Sequence, residues 1–198
     1  MIAAGLLASP VRIVTVFDRT DFTGPGQRGE LNAVSALRAR EDASFCAAAG
    51  STLIRLGMSD ACVRHPRLAI AQLFARPVPE PALGALLRER LNELAGRFPG
   101  AQLLAPAGVG GHIDHTLVAE VAPSSRWRRP LLYADQPYAL RLGLAPVDPV
   151  MTVRHTPSAL QAKLAATAAY PSQPAARELI KLLHQTAPGT PLEWITRA

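Results

Sequence analysis

The densest group of chemistry-bearing side chains in the sequence is His112-Ile113-Asp114-His115, preceded by Gly110-Gly111. Histidines three apart at the opening of a helix put both imidazoles on one side of its first turn. An apolar stretch, Ala101 to Ala105, reads as a strand just upstream. It delivers the pair to its carboxyl end, the edge at which open α/β sheets bind ligands. An imidazole there serves as metal ligand or proton carrier, and the carboxylate between the two can orient a ring by accepting its N–H. The plainer reading is a helix start carrying Asp and His. A phosphate-loop reading also exists, because Gly108, Gly110 and Gly111 stand between strand and helix. It fails at Ile113, where G-x-G-x-x-G requires its third glycine.

Other candidates are more dispersed. Arg38 and Glu41 sit three apart on one predicted helix, a spacing that most often marks a surface ion pair. Asp60, in Leu56-Gly57-Met58-Ser59-Asp60-Ala61, follows a predicted strand and is either a ligand-edge carboxylate or a turn residue. Asp135 and Tyr138 follow another strand and face the same kind of edge. His65, in a Val-Arg-His-Pro-Arg stretch, and His155, before Thr-Pro, read as surface histidines. Arg126, Arg128 and Arg129 around Trp127 form the one tight basic cluster, an anion patch or a solvated loop.

The elements that must position these residues alternate in type. Val11 to Phe17 is a continuous apolar, β-branched run, the mark of a strand covered on both faces. Asp18 to Gly29 reads as a polar loop. Glu30 to Ala49 has helical spacing and stops at Gly50. Thr52 to Leu56 is a second strand, and Leu68 to Phe74 a short helix before a Pro-rich break. Ala82 to Phe98 is an amphipathic helix with Leu83, Leu86, Leu87, Leu91 and Leu94 on one face. Strands at Ala101–Ala105 and Pro130–Ala134 flank a helix beginning near His112. Helices at Pro157–Ala169 and Pro174–Gln185 complete the chain. Strand–helix alternation of this kind predicts βαβ units and a mostly parallel sheet in an α/β fold.

Composition narrows the class. With 198 residues, 48% of them hydrophobic and 18% charged, the chain is ordinary globular material for one domain, residues 1–198. There are 21 Lys and Arg against 15 Asp and Glu, but the cations are scattered, which argues against a nucleic-acid binder. The opening Met1 to Pro10 is too short to span a bilayer, lacks the features of a signal peptide, and reads as the tail of a helix. Cys46 and Cys62 are not spaced as a metal or redox pair, which fits a reducing cytoplasm. A homo-oligomer is compatible with the sequence.

Taken together, five segments resemble the zinc-dependent de-N-acetylases of the PIG-L (LmbE-like) family. His112-Ile113-Asp114-His115 after a Gly-rich turn resembles the family's second signature. Arg38-x-x-Glu41 is similar to its R-x-x-E helix, and Leu56 to Ala61 to its LG-x-x-DA segment. Tyr133-Ala134-Asp135-Gln136-Pro137-Tyr138 resembles the Y-x-D-x-P-Y stretch of one branch. Lys163, with Tyr170, Ser172 and Gln173, resembles the K…Y-x-S-Q signature. The resemblance implies a doubly wound, Rossmann-like sheet with helices on both faces. It implies zinc-dependent hydrolysis of an acetamide on an N-acetylglucosamine-type sugar or glycoconjugate. It places His115 as a zinc ligand, His112 as the group that stabilises the oxyanion, Asp114 as the orienter of a histidine, and Arg38 and Asp60 on sugar hydroxyls. Such a site works by zinc polarising the carbonyl and lowering the pKa of its water to about 7, with a carboxylate taking the water's proton.

The sequence departs from the family in one respect: it contains no A-H-P-D-D motif. The family carries that motif after its first strand, ahead of a helix ending roughly G-G-x-I-A-A, which Met1-Ile2-Ala3-Ala4 resembles. The resemblance therefore implies that the first, central strand is missing. One zinc ligand remains where a catalytic site needs three. The chain as written is then expected to hold zinc weakly and not to deacetylate. The alternative is a non-catalytic scaffold or binding module of the same ancestry.

Overall fold

The structure is a computed structural model that describes residues 10–74, 78–144 and 148–198. The helix tail read at the start of the chain lies outside the described residues. In chain order the strands are β1 (Arg12–Arg19), β2 (Phe22–Gly24), β3 (Gln27–Arg28), β4 (Thr52–Ser59), β5 (Leu104–Pro106), β6 (Leu131–Tyr133), β7 (Met151–Arg154) and β8 (Pro191–Arg197). The helices are α1 (Leu31–Ala48), α2 (Ala61–Arg64), α3 (Pro81–Arg97), α4 (Ile113–Val121), α5 (Tyr138–Arg141), α6 (Pro157–Ala168) and α7 (Pro174–Gln185), with a 3-10 turn at Ile70–Phe74. The mixed α/β class expected from the alternation is the class observed. Among the described residues no helix is long and apolar enough to cross a membrane.

The chain divides into two compact units, Met1–Ile70 with Arg154–Thr190, and Ala71–Val153 with Pro191–Ala198. In the first, β1 and β4 pair in parallel, with Ile13 opposite Leu53 and Val14 opposite Ile54. The apolar, β-branched run of β1 suits a ladder covered by α1. That helix begins where the Glu30 carboxylate accepts the N–H groups of Asn32 (2.9 Å) and Ala33 (2.6 Å). It ends as its sequence predicts. Gly50 takes φ +60, and the N–H groups of Ser51 and Gly50 close onto the carbonyls of Cys46 (2.9 Å) and Ala47 (3.3 Å). This two-bond closure needs a left-handed residue, which glycine adopts without steric cost. The stretch read as a loop, Asp18 to Gly29, instead contains a small antiparallel hairpin, β2–β3.

In the second unit the sheet runs β5-β6-β8-β7. β5 and β6 are parallel, but β8 runs antiparallel to β6, pairing Leu131 with Arg197 and Tyr133 with Ile195. This corrects the mostly parallel expectation for that sheet. Neither β7 nor β8 was anticipated, because β7 is short and both are flanked by Pro, Gly and loop residues. Helix α3 buries Gly84, Leu87, Leu91 and Leu94. Leu86 is 40% exposed, off the stripe on which the sequence placed it. At about 100° per residue it is rotated away from Leu87. Gly84 meets α4, its missing Cβ falling 3.6 Å from Leu117 Cδ1 and 3.7 Å from Val121 Cγ2.

Candidate active site

Both histidines sit where β5 hands over to α4. After Pro106 the chain turns through Gly108, Gly110 and Gly111, all at positive φ. Gly110 has a second constraint: a Cβ there would lie 2.8 Å from Tyr138 Cβ and Cγ. Close approach of the turn to Tyr138 therefore excludes any side chain. His112 is the N-cap of α4, its Nδ1 accepting the Asp114 N–H at 3.3 Å. One turn on, the His115 ring stands with its centroid 5.4 Å from that of His112. Phe74 packs edge-on to His112 (4.8 Å) and to Tyr138 (5.5 Å), and Tyr138 lies 5.8 Å from His115. The two imidazoles thus share an aromatic enclosure. The sequence offered a short helix ending at Phe74 but no sign that its ring would meet His112.

Their polar partners differ. Nδ1 of His115 lies 2.6 Å from Oδ1 of Asp135, whose side chain is fully buried. Both atoms are inaccessible to water, and neither has a hydrogen bond of ordinary geometry to any described group. Two lone pairs that close would repel, so a proton lies between them. The other carboxylate oxygen, Oδ2, accepts the Val109 N–H at 2.8 Å. Nε2 of His115 makes no hydrogen bond among the described residues, and the side chain is 36% exposed. Asp114, expected to orient a histidine, has its Oδ2 4.0 Å from His112 Nδ1, beyond hydrogen-bond reach. The close carboxylate partner is Asp135, three residues before Tyr138 and on a different element.

Arg38 and Asp60 lie in the first unit. Arg38 is not a surface residue: it is 9% exposed and Glu41 5%. Its Nη1 donates to Ser172 Oγ and reaches Glu41 Oε2 at 3.4 Å, while Nη2 donates to the Phe22 carbonyl at 3.2 Å. Glu41 Oε1 accepts the Ser172 N–H at 2.8 Å. The R-x-x-E and Y-x-S-Q segments are therefore joined. Asp60 caps α2, accepting the Val63 N–H at 3.0 Å. Nearby, Asp42 accepts Thr15 Oγ1 at 2.9 Å. Burial raises its carboxyl pKa, opposed by hydrogen bonds from Thr15 and Tyr170. Burial, then the Asp42 charge, pushes the Tyr170 hydroxyl up. The arginines of the basic cluster are exposed, and Trp127 anchors them by donating Nε1–H to the Leu91 carbonyl at 3.0 Å. Cys46 and Cys62 are buried thiols, not joined in a disulfide.

Whether zinc fits rests on this donor set. His115 suits it as one ligand: its Nδ1 is engaged by a buried carboxylate and its Nε2 is not engaged, the usual arrangement of a zinc histidine. The described residues hold no group of three His, Cys, Asp or Glu able to bind a metal. They do not make a zinc site by themselves.

No family model matches the chain. Over 149 residues it is 34% identical to the 2′-N-acetylparomamine deacetylase of Streptomyces fradiae, an alignment covering 68% of this chain and 52% of that protein. The chain spans about half the length of that relative. A solved deacetylase–teicoplanin complex from the teicoplanin biosynthesis pathway matches with TM-score 0.70 at 16% identity, over 100% of this chain and 91% of the other. The zinc-inhibited form of teicoplanin deacetylase matches with TM-score 0.66 at 16% identity, over 100% and 91%. These relatives are deacetylases. At such low identity the two structures speak to the fold, while the paromamine enzyme supplies the sequence link.

Proposed function

We propose that this protein takes part in zinc-dependent hydrolysis of an N-acetyl amide on an amino sugar or glycoconjugate, in a single domain of doubly wound, Rossmann-like type. The observation that carries this reading is the pair of enclosed histidines at the start of α4, one with Nδ1 against a buried carboxylate and Nε2 unengaged. Its kinship with a paromamine deacetylase supports an amino-sugar substrate.

Bound zinc would polarise the acetamide carbonyl and supply hydroxide at neutral pH. His115 would hold it through Nε2. His112, with Nδ1 accepting a backbone N–H, keeps its proton on Nε2, from which it donates to oxygen as negative charge develops. Asp114, by resemblance, would orient a histidine ring. The sugar contacts assigned to Arg38 and Asp60 by resemblance are carried forward as well. Asp60→Asn keeps an α2 cap and, in a version that turns over, should raise KM for the sugar.

A non-catalytic scaffold is the second reading, favoured by the lack of a three-ligand group among the described residues. One experiment separates the two. The 198-residue chain should take up little zinc and release no acetate from an N-acetylated amino sugar. A version preceded by a strand and a His-x-Asp-Asp segment should bind one zinc and release acetate. If that version binds zinc no better than the chain alone, the scaffold reading wins.

A further inference from the structure

We propose that Asp135 is the positioning residue of His115: it holds the ring proton on Nδ1 and so keeps the Nε2 lone pair available to an electrophile. This rests on the site reading above but reaches a residue that reading does not use. Asp135 is 1% exposed, and each of its oxygens faces a nitrogen. Oδ1 meets His115 Nδ1 at 2.6 Å and Oδ2 accepts the Val109 N–H at 2.8 Å. The hydrogen bond from Val109 holds the carboxylate in place. It ties the carboxylate, just past the end of β6, to the glycine turn that leads into α4, so acceptor and ring are fixed to one another. The turn is further held by the Ala107 N–H on the Tyr133 carbonyl at 2.9 Å. An imidazole with an ionised carboxylate on Nδ1 favours the tautomer bearing that proton, because the alternative faces two acceptors. His112, three residues earlier, has the opposite local environment, an N–H donor on Nδ1. The two rings are therefore set in opposite tautomers by neighbours of opposite kind.

The test reads the tautomer directly, through long-range proton–nitrogen correlations of the histidine rings in the 198-residue chain. The pH is raised until the shifts stop changing, and His115 is assigned by its loss in His115→Gln. In the wild type, His115 should show a protonated Nδ1 and an unprotonated Nε2. In Asp135→Asn the carboxamide oxygen keeps the Val109 N–H while its NH2 donates to Nδ1. The two His115 nitrogen signals should then exchange places, with the His112 pattern unchanged. A role confined to structural support would leave the His115 tautomer as it was. A wild-type His115 carrying its proton on Nε2 overturns the proposal even if Asp135→Asn does not fold, and so does a folded Asp135→Asn with the wild-type pattern. The outcome is independent of turnover. A version carrying the added His-x-Asp-Asp segment that shows this tautomer yet never releases acetate defeats the hydrolase reading and leaves the positioning role standing.

Discussion

Ser172 donates its backbone N–H to the Glu41 carboxylate at 2.8 Å across 131 residues of chain, and its hydroxyl takes Arg38 on the same helix. This contact fastens the segment between α6 and α7 onto α1, and it is nearly dry: the Arg38 and Glu41 side chains are 10% and 6% exposed. Truncating one partner of a buried pair leaves the other charge without compensation. Arg38→Ala should therefore cost about 3–5 kcal/mol of unfolding free energy. Chemical denaturation checks it. A loss under about 1 kcal/mol would place the pair with ordinary surface ion pairs.

Two glycines should respond in opposite directions. At Gly84 an added methyl finds ordinary contacts with Leu117 and Val121, and a helix interior favours Ala by about 0.5–1 kcal/mol. Gly84→Ala should raise the melting temperature. At Gly110 the methyl meets Tyr138 at 2.8 Å and φ is +86. Gly110→Ala should cost about 1–3 kcal/mol and disturb the ring environment of both histidines, visible in their side-chain NMR signals.

Asp42 sets a pH dependence of definite sign. Its folded carboxyl lies above the ordinary value of 3.8 because burial disfavours its charge. The folded state therefore binds the proton more tightly than the unfolded chain does. Its contribution to stability is greatest below 3.8 and falls as pH rises through the interval above that value. Asp42→Asn removes this term. Across that interval the wild type should lose stability relative to Asp42→Asn, as measured by denaturation at a series of pH values. A relative gain would reverse the assignment.

In the version carrying the added His-x-Asp-Asp segment, the two histidines should separate by phenotype. His115→Ala should abolish zinc loading. His112→Ala should keep zinc and lower kcat by about 10²–10³, the usual effect of losing one oxyanion donor. Equal zinc loss in both, by metal analysis after dialysis, would show that the roles are misassigned.

The sequence by itself determined the α/β class, the extents of α1, α3, α6 and α7, and the placing of His112 and His115 on one helix turn. Each depends on local information: β-branched runs, 3.6-residue spacing, and a glycine at a helix end such as Gly50. The tertiary structure decided which groups meet. Nothing in the spacing of Asp135 and His115, or of Glu41 and Ser172, announces a 2.6 Å or a 2.8 Å contact. Asp114 lies 4.0 Å from the His112 ring beside it in sequence, but the 2.6 Å carboxylate contact to His115 comes from Asp135 at the end of another strand. Phe74 was hidden for the same reason. The antiparallel β8 was unreadable because its pairing with β6 depends on a partner some 60 residues away. Propensity acts along the chain. Which carboxylate reaches which ring depends on how separate elements pack.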